Sequence, residues 1–401
     1  MERSFSFWNK FLTLSDLVRL IRTSKYFNAN IRNLPIDYFD FGDDYSDFGL
    51  EMIRTFPNLK ALHIDVSCDQ FNKLSNLTRL RVNSTRDLDH NLKLLPNRDK
   101  LKLLEVDCLN GQPDEIYDTE NLSDIVPKLE AVHVRYRELP DQFFRNFRNF
   151  RNLTELCLIW CYNITNEVFQ NLSNLERLYM RNTNIGDDAF RHIPNLKLLH
   201  FEHCYNITDA AFENLTNLES LTISYISSDQ EISDKAFQYL TNLTELCLQP
   251  NYDDEPCNFS LEIFKHLFKL KRLDLHGSNL VTPELFQALY MRLDWLDIRR
   301  NLYQEPLQIP ISMVENIFLN LHIKVLYIDE LFPFPTKSVL NCLIKNGLEE
   351  LSVIRCSEFS GSRFSKKIYT KKKTFFGKNI LNYLRWIKSK YTYGKIDLYK
   401  S

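Results

Sequence analysis

His200, Glu202 and His203 bring three metal-ligating side chains within four residues. Strand alternation would put His200 and Glu202 on one face and turn His203 away, and no fourth ligand stands at a useful spacing. No metal or cofactor is expected. Catalytic signatures are equally absent: with nine glycines in all, the chain has no phosphate-cradling glycine loop, no G-x-S-x-G and no H-E-x-x-H. Cys157 is expected to be exposed, but nothing supplies it with a base. The nine cysteines are odd in number and include no C-x-x-C, which points to reduced thiols. Asp37, Asp40, Asp43, Asp44, Asp47 and Glu51 lack the spacing and central glycine of a calcium loop and read as an exposed acidic linker. The chain is expected not to be an enzyme.

The surviving candidates are surface side chains, and a repeat must position them. Leu153-x-x-Leu156-x-Leu158 returns as Leu175-x-x-Leu178, Leu196-x-x-Leu199, Leu218-x-x-Leu221 and Leu243-x-x-Leu246, spaced 22, 21, 22 and 25 residues apart. That is the leucine-rich-repeat period. In each unit a short strand points its leucines one way. Cys161, Thr183 and Cys204 then turn the chain inward, where a small side chain can satisfy backbone groups. Thr208-Asp209 and Ser233-Asp234 are suited to cap a short amphipathic helix carrying Phe and Leu. No unit can bury its apolar face alone, so stacking is compulsory. Followed outward, the frame runs through Leu59, Leu77, Leu101, Leu129, the five leucines above, Leu270, Leu293, Ile323 and Leu348, predicting thirteen strands at spacings of 18 to 30. The fold class is α/β, a leucine-rich-repeat solenoid of horseshoe form. Insertions are expected at 110–126, 225–233, 250–260 and 303–312.

The fifth, seventh and eighth positions of each repeat face the concave side. They carry Trp160, Tyr179, Arg181, His200, Glu202, Tyr225, His276 and Arg299. Aromatics beside Arg and His are the composition of protein-binding hot spots. Trp160, Tyr179, Arg181 and His200 are expected to form one solvent-facing patch for a protein partner.

At 44% hydrophobic residues the chain has ample material for a continuous core, with no apolar run long enough to span a membrane and no signal-peptide pattern at its start. A cytoplasmic location is expected, with the nucleus, or the host cytoplasm for a viral chain, as alternatives. Net charge is −2, but residues 360–401 hold twelve Lys/Arg against the single acid Asp397, leaving the remainder at −13.

Residues 1–31 do not follow the repeat. Phe5, Trp8, Phe11 and Leu12 recur at helical spacing, and Ser15 can cap a second helix striped by Leu17, Leu20 and Ile21. Phe11-Leu12, Asp16-Leu17, Leu20 and Thr23-Ser24-Lys25-x-Phe27 resemble the second half of an F-box. Together with the Cys-x-x-Ile-Thr-Asp repeats they resemble the F-box/leucine-rich-repeat substrate receptors, cysteine-containing subtype, of the kind common in amoebae and giant DNA viruses. The resemblance implies docking on the adaptor of a cullin ubiquitin ligase through Phe5, Trp8, Phe11, Leu12, Asp16, Leu17 and Leu20, with ubiquitin transfer performed by recruited enzymes. The sequence departs from the family at the opening Leu-Pro, for which it has no counterpart, Met1 standing where the proline would. The alternative is a repeat-only binding or scaffold protein whose F-box has decayed.

The expected boundaries are 1–45 for the helical module and acidic linker, 46–358 for the solenoid and 359–401 for the basic segment. In the last, Lys366, Lys367 and Lys371–Lys373 mix with aromatics, and Ile380, Leu384 and Ile387 fit an amphipathic helix. A C-terminal cap, a polyanion or membrane contact, and an import signal all fit that composition.

Overall fold

The computed structural model describes residues 60–64, 69–82, 88–107, 122–135, 143, 147–226, 230–250, 258–282, 284–289, 293–299, 322–329, 343, 345–354 and 368–369. The F-box-like module, the acidic linker, the cores of the 110–126, 250–260 and 303–312 insertions and the segment after Gly377 lie outside the described residues.

Alternating leucines need a second layer to cover them, and the chain supplies it by stacking. One sheet holds fourteen strands in chain order. They are β1 (Ala61–Ile64), β2 (Arg79–Val82), β3 (Leu103–Asp107), β4 (Ala131–Arg135), β5 (Glu155–Ile159), β6 (Arg177–Arg181) and β7 (Leu198–Glu202). There follow β8 (Ser220–Ile226), β9 (Glu245–Pro250), β10 (Arg272–Asp274), β11 (Trp295–Asp297), β12 (Val325–Asp329), β13 (Glu350–Ile354) and β14 (Ile368–Tyr369). The thirteen strands before β14 are parallel, and each begins two residues after the leading residue read from the repeat. β14 pairs antiparallel with β13, an element the frame did not predict.

Pairing is in register, so equivalent residues stack: Leu156 on Leu178, Leu178 on Leu199, Leu199 on Leu221, Leu221 on Leu246. These leucines and the fully buried Phe169, Phe190, Phe212, Phe237 and Phe264 belong to one continuous core running from Leu62 to Leu348. The expected amphipathic helices are here reduced to one or two turns. Asn166–Phe169, Asp187–His192, Asp234–Tyr239 and Leu261–His266 are 3-10 turns, and Asp209–Phe212 is one α-turn. The reason is width. Strands stack about 4.8 Å apart, whereas an α-helix with its side chains is about 10 Å across, so the tighter 3-10 turn fits the spacing better.

Polar ladders tie the repeats together outside the sheet. Thr208, Ser233 and Ser260 each cap their own turn, accepting from the N–H two residues on. Each also donates its own N–H and hydroxyl to the aspartate of the preceding repeat. Asp187 takes both from Thr208, at 2.8 and 2.7 Å, and Asp209 takes both from Ser233, at 2.7 and 2.6 Å. Asp234 serves Ser260 in the same way. At the inward bend Cys204 Sγ donates to Glu202 O and contacts Thr183 Oγ1, each at 3.4 Å, as the small-residue reading expects.

The other face of the sheet is open and three side-chain columns wide. Its middle column, the fifth position of each repeat, is enclosed by the outer two and by its own neighbours up and down the stack. Charges across the open face alternate in sign, stepping from the middle column (Arg81, Glu105 and His133) to the third position (Glu155 and Arg177) and the seventh (Asp107 and Arg135). Glu105, His133, Glu155 and Arg177 follow one another across β3 to β6: His133 Nε2 lies 2.8 Å from Glu155, its Nδ1 3.5 Å from Glu105, and Arg177 Nε donates to Glu155 at 2.8 Å. Arg81 and Arg135 share Asp107. Burial alone would push His133 down, but hydrogen bonds donated by its ring to Glu105 and Glu155, together with their charge, outweigh it and raise it to about 9. Burial would raise Glu155, yet His133 and Arg177 hold it at about 2.

Two outcomes follow. Asp209→Ala deletes both bonds to Ser233 and strands its N–H, so urea unfolding should register a loss of about 1–3 kcal/mol. For His133 the folded-state pKa is raised, so its contribution is complete below pH 6.5 and disappears as pH climbs through about 9. Glu155, with its pKa depressed, contributes above 4.5 and loses that contribution as pH falls through about 2. Stability measured from pH 6.5 to 9.5 should therefore decline in the wild type by up to about 3 kcal/mol. His133→Gln should flatten that decline; a variant with the same slope would remove His133 as its source.

Candidate interaction face

Five described repeats place their eighth residue in the left-handed region: Trp160 (φ 63°), Asn182 (φ 52°), His203 (φ 52°), Tyr225 (φ 57°) and Gly277 (φ 78°). The turn lets the backbone N–H reach the next repeat, Trp160 N to Arg181 O at 2.8 Å, Asn182 N to Glu202 O at 3.0 Å and Gly277 N to Arg299 O at 2.8 Å. Asn and Gly adopt this conformation cheaply and His less readily, while for the bulky Trp and Tyr it is costly. Pro250, at the equivalent position, has φ locked negative and instead continues β9, opposite a bulge between Ser224 and Ile226.

The three strained aromatics gather around one guanidinium. Arg181, at the end of β6, has its guanidinium carbon 5.8 Å from the Trp160 ring and 6.0 Å from the Tyr225 ring. His203 stacks on Tyr225 with centroids 4.6 Å apart and bonds Tyr205 Oη through Nδ1 at 3.1 Å. Tyr162, beside Trp160, and Tyr205 are 40% and 48% exposed, which is unusual for large side chains in this array. Beneath the rim, Cys157, Ile159 and Tyr179 form a small apolar cluster on the open face, with Trp160 and Leu198 packed against it.

Of the residues read from the sequence, Trp160, Tyr179, Arg181, His200, Glu202 and Tyr225 are brought together. Two of them, with Cys157, are not solvent-facing as expected. Tyr179 is 2% exposed, Glu202 5%, and Cys157 fully buried. The register is right, since all three point to the open face. Their neighbours at 4.8 Å cover them, which alternation along a single strand does not register. A double replacement of Trp160 and Tyr179 would therefore empty a packed site and lower the melting temperature. His276 and Arg299 stand apart, by β10 and β11. There Arg299 pairs with Asp297 (Nε to Oδ1 2.8 Å) and lies 5.3 Å from the Tyr327 ring, while Arg272 stacks 3.8 Å from Trp295. His203, Tyr162 and Tyr205 were missed as site residues, although the recurrence of an aromatic at the eighth position was readable.

Electrostatics set this centre apart from the paired ladders of β2–β6. Burial raises Glu202 to about 7, and Arg181, with Nη2 3.0 Å from Oε1, only partly offsets that. Burial and the Arg181 charge lower His200 to about 4 and also lower His203, so both rings are neutral at pH 7. A separate groove of about 610 Å³ lies at the strand-entry edge, lined by Asn174, Asn195, Asn217, Asn242 and alternating Glu and Lys. Those four amides each donate to a backbone carbonyl of the preceding repeat at 2.8–3.1 Å, so the groove is a consequence of stacking. Among the described residues no cluster of three metal-ligating side chains occurs, and no helix is long and apolar enough to cross a membrane.

No curated protein matches the chain by sequence. Among solved structures it is similar to a chain of the Rad7 and Elc1 complex in yeast, at 19% identity over 68% of this chain and 76% of that one, with a TM-score of 0.44. It is also similar to an internalin (inlF) from Listeria monocytogenes, at 16% identity over 80% and 83%, TM-score 0.40. A chain of the Toll–Spatzle complex of Drosophila matches at 13% over 73% and 47%, TM-score 0.40. Likenesses at this level carry nothing about what the chain binds. A model described as a BspA type leucine rich repeat region matches in six copies, over residues 137–254 and 162–288, so the central part of this chain is made of leucine-rich repeats.

Proposed function

We propose that the chain is a protein-binding module whose contact centre is the open face of β5–β8, around Trp160, Arg181, His203 and Tyr225. The observation that carries this reading is the strain. The backbone asks for Asn or Gly at the eighth position and receives them at Asn182 and Gly277, yet three of the four repeats from β5 to β8 hold rings there. Residues kept in a costly conformation point to a role beyond the fold. An apolar floor, an aromatic rim and a central arginine are the anatomy of an interface core.

The finer reading is a substrate receptor for a cullin ubiquitin ligase, with the repeats holding the target and Phe5, Trp8, Phe11, Leu12, Asp16, Leu17 and Leu20 holding the adaptor. Its support is the F-box-like pattern of residues 11–27. The basic segment after residue 359, with twelve Lys/Arg against one acid, would add a polyanion contact. In this reading the chain binds and performs no bond chemistry. A repeat-only scaffold remains the alternative.

Tyr225→Asn with His203→Asn relieves two left-handed aromatics while losing their stacking, and the two effects should cancel to within about 1 kcal/mol in thermal unfolding. Capture of a protein partner identified with the wild-type chain should fall roughly thirtyfold or more. Undiminished capture would move the contact centre off this face. For the ligase reading, deleting residues 1–31 should abolish co-purification of the cullin adaptor while the repeats keep their circular-dichroism spectrum; a full-length chain that never retains adaptor at micromolar concentration leaves the scaffold reading standing.

A further inference from the structure

We propose that the partner presents a single carboxylate, flanked by apolar side chains, which docks at Arg181 between Trp160 and Tyr225 and replaces Glu202 as its counter-ion. The inference rests on the binding face proposed above and specifies what that face takes.

Arg181 is the cation at the middle of the aromatic rim, and Glu202 on the neighbouring strand is its paired carboxylate. The pairing is loose. Glu202 Oε1 stands 3.0 Å from Nη2 but makes no hydrogen bond, and its residue is 5% exposed, so water does little to support the charge. The other groups facing Glu202 are Arg181 and Tyr179 on β6, His200 and His203 on its own strand, Ser224 and Tyr225 on β8, and the Cys204 thiol in the turn. His200 and His203 are neutral at pH 7 for the reason given above. The centre is therefore a partly buried arginine with a reluctant counter-ion, edged by rings able to pack apolar flanks.

Charge complementarity favours one isolated acid over a polyanion. The same face carries Glu155 two strands before Glu202 and Asp274 and Asp297 three and four strands after it, and a phosphate backbone crossing the array would meet them. An arriving carboxylate takes the Arg181 fork. Glu202, left without its cation, takes up one proton from solvent, so charge is conserved within the site. Because Glu202 stands at about 7 before binding, affinity should rise as pH falls from 8 to 6, by about tenfold, and level off below.

The test is a random-peptide phage selection on the full chain at pH 6, followed by fluorescence-anisotropy titration of the enriched peptides. We expect Asp or Glu between apolar residues, at least tenfold weaker binding to Arg181→Gln, and about tenfold weaker binding to the wild type at pH 8. Glu202→Gln should bind at least as well as the wild type and lose the pH dependence; it also keeps the proposal testable if Arg181→Gln fails to fold. Peptides without an acid that still require Trp160 and Tyr225 would overturn the carboxylate while leaving the binding face intact. Peptides indifferent to Trp160→Ala and Tyr225→Asn, or a selection that enriches nothing, would overturn both. Displacement of the peptides by a single-stranded RNA oligonucleotide binding more tightly would overturn the choice of an isolated acid.

Discussion

In-register parallel stacking is the constraint on which the rest depends. Each strand lies about 4.8 Å from the next, and each residue lies against its own equivalent in the neighbouring repeat. A column of leucines gains from this, because identical apolar side chains pack on one another. A column of like charges would repel at each step. Charged side chains are accordingly interleaved by sign between neighbouring strands, as in Glu105, His133, Glu155 and Arg177, or self-complementary, as where each aspartate serves the hydroxyl of the next repeat. The bend, the cap and the turn obey the same rule: one repeat's donor meets the next repeat's acceptor.

That constraint also divides what the sequence discloses from what it conceals. Thirteen leading residues, read by spacing, each lie two residues ahead of a parallel strand, even in the outer repeats where spacing reaches 30. Hydrophobic periodicity survives insertion because the insertions fall between strands. The caps at Thr208 and Ser233 were legible for a similar reason, being local and tied to a side-chain type. Exposure was not legible. Cys157 and Tyr179 sit on the face where alternation put them and are still buried, because they pack on each other and on Ile159, Trp160 and Leu198 across three repeats. Nor was helix type, since the frame gives the amphipathic pattern of Ala236-Phe237 but not the lateral room into which a helix must fit. Burial and helix width are both properties of the stack, and a single repeat does not contain them.

The left-handed column shows a different limit. Its geometry is dictated by the bend, and Asn182 and Gly277 are what the bend alone would select. Trp160, His203 and Tyr225 do not violate the hydrophobic pattern, so periodicity passes over them. Position in the repeat already put Trp160 and Tyr225 on the concave side; φ adds that they are held there at a cost.

The open face then reads as two materials in series. From β2 to β6 the charged side chains of the face form a paired ladder, in which His133 at about 9 and Glu155 at about 2 are each held charged by close partners. From β5 to β8 charge gives way to an apolar floor, and the groups that remain, Glu202 at about 7 and His200 at about 4, are pushed toward neutrality by burial. The first arrangement stiffens the array, because His133, Glu155, Arg177, Arg81 and Asp107 already hold their counter-ions and gain little from an outside one. The second leaves Arg181 with a partner that readily protonates, next to rings held in place against the preference of their own backbone. A surface that is to bind must hold back some interaction from its own fold. Here the part held back is the salt bridge of Arg181, and it lies where the repeats are most regular and the floor beneath it is least able to shift.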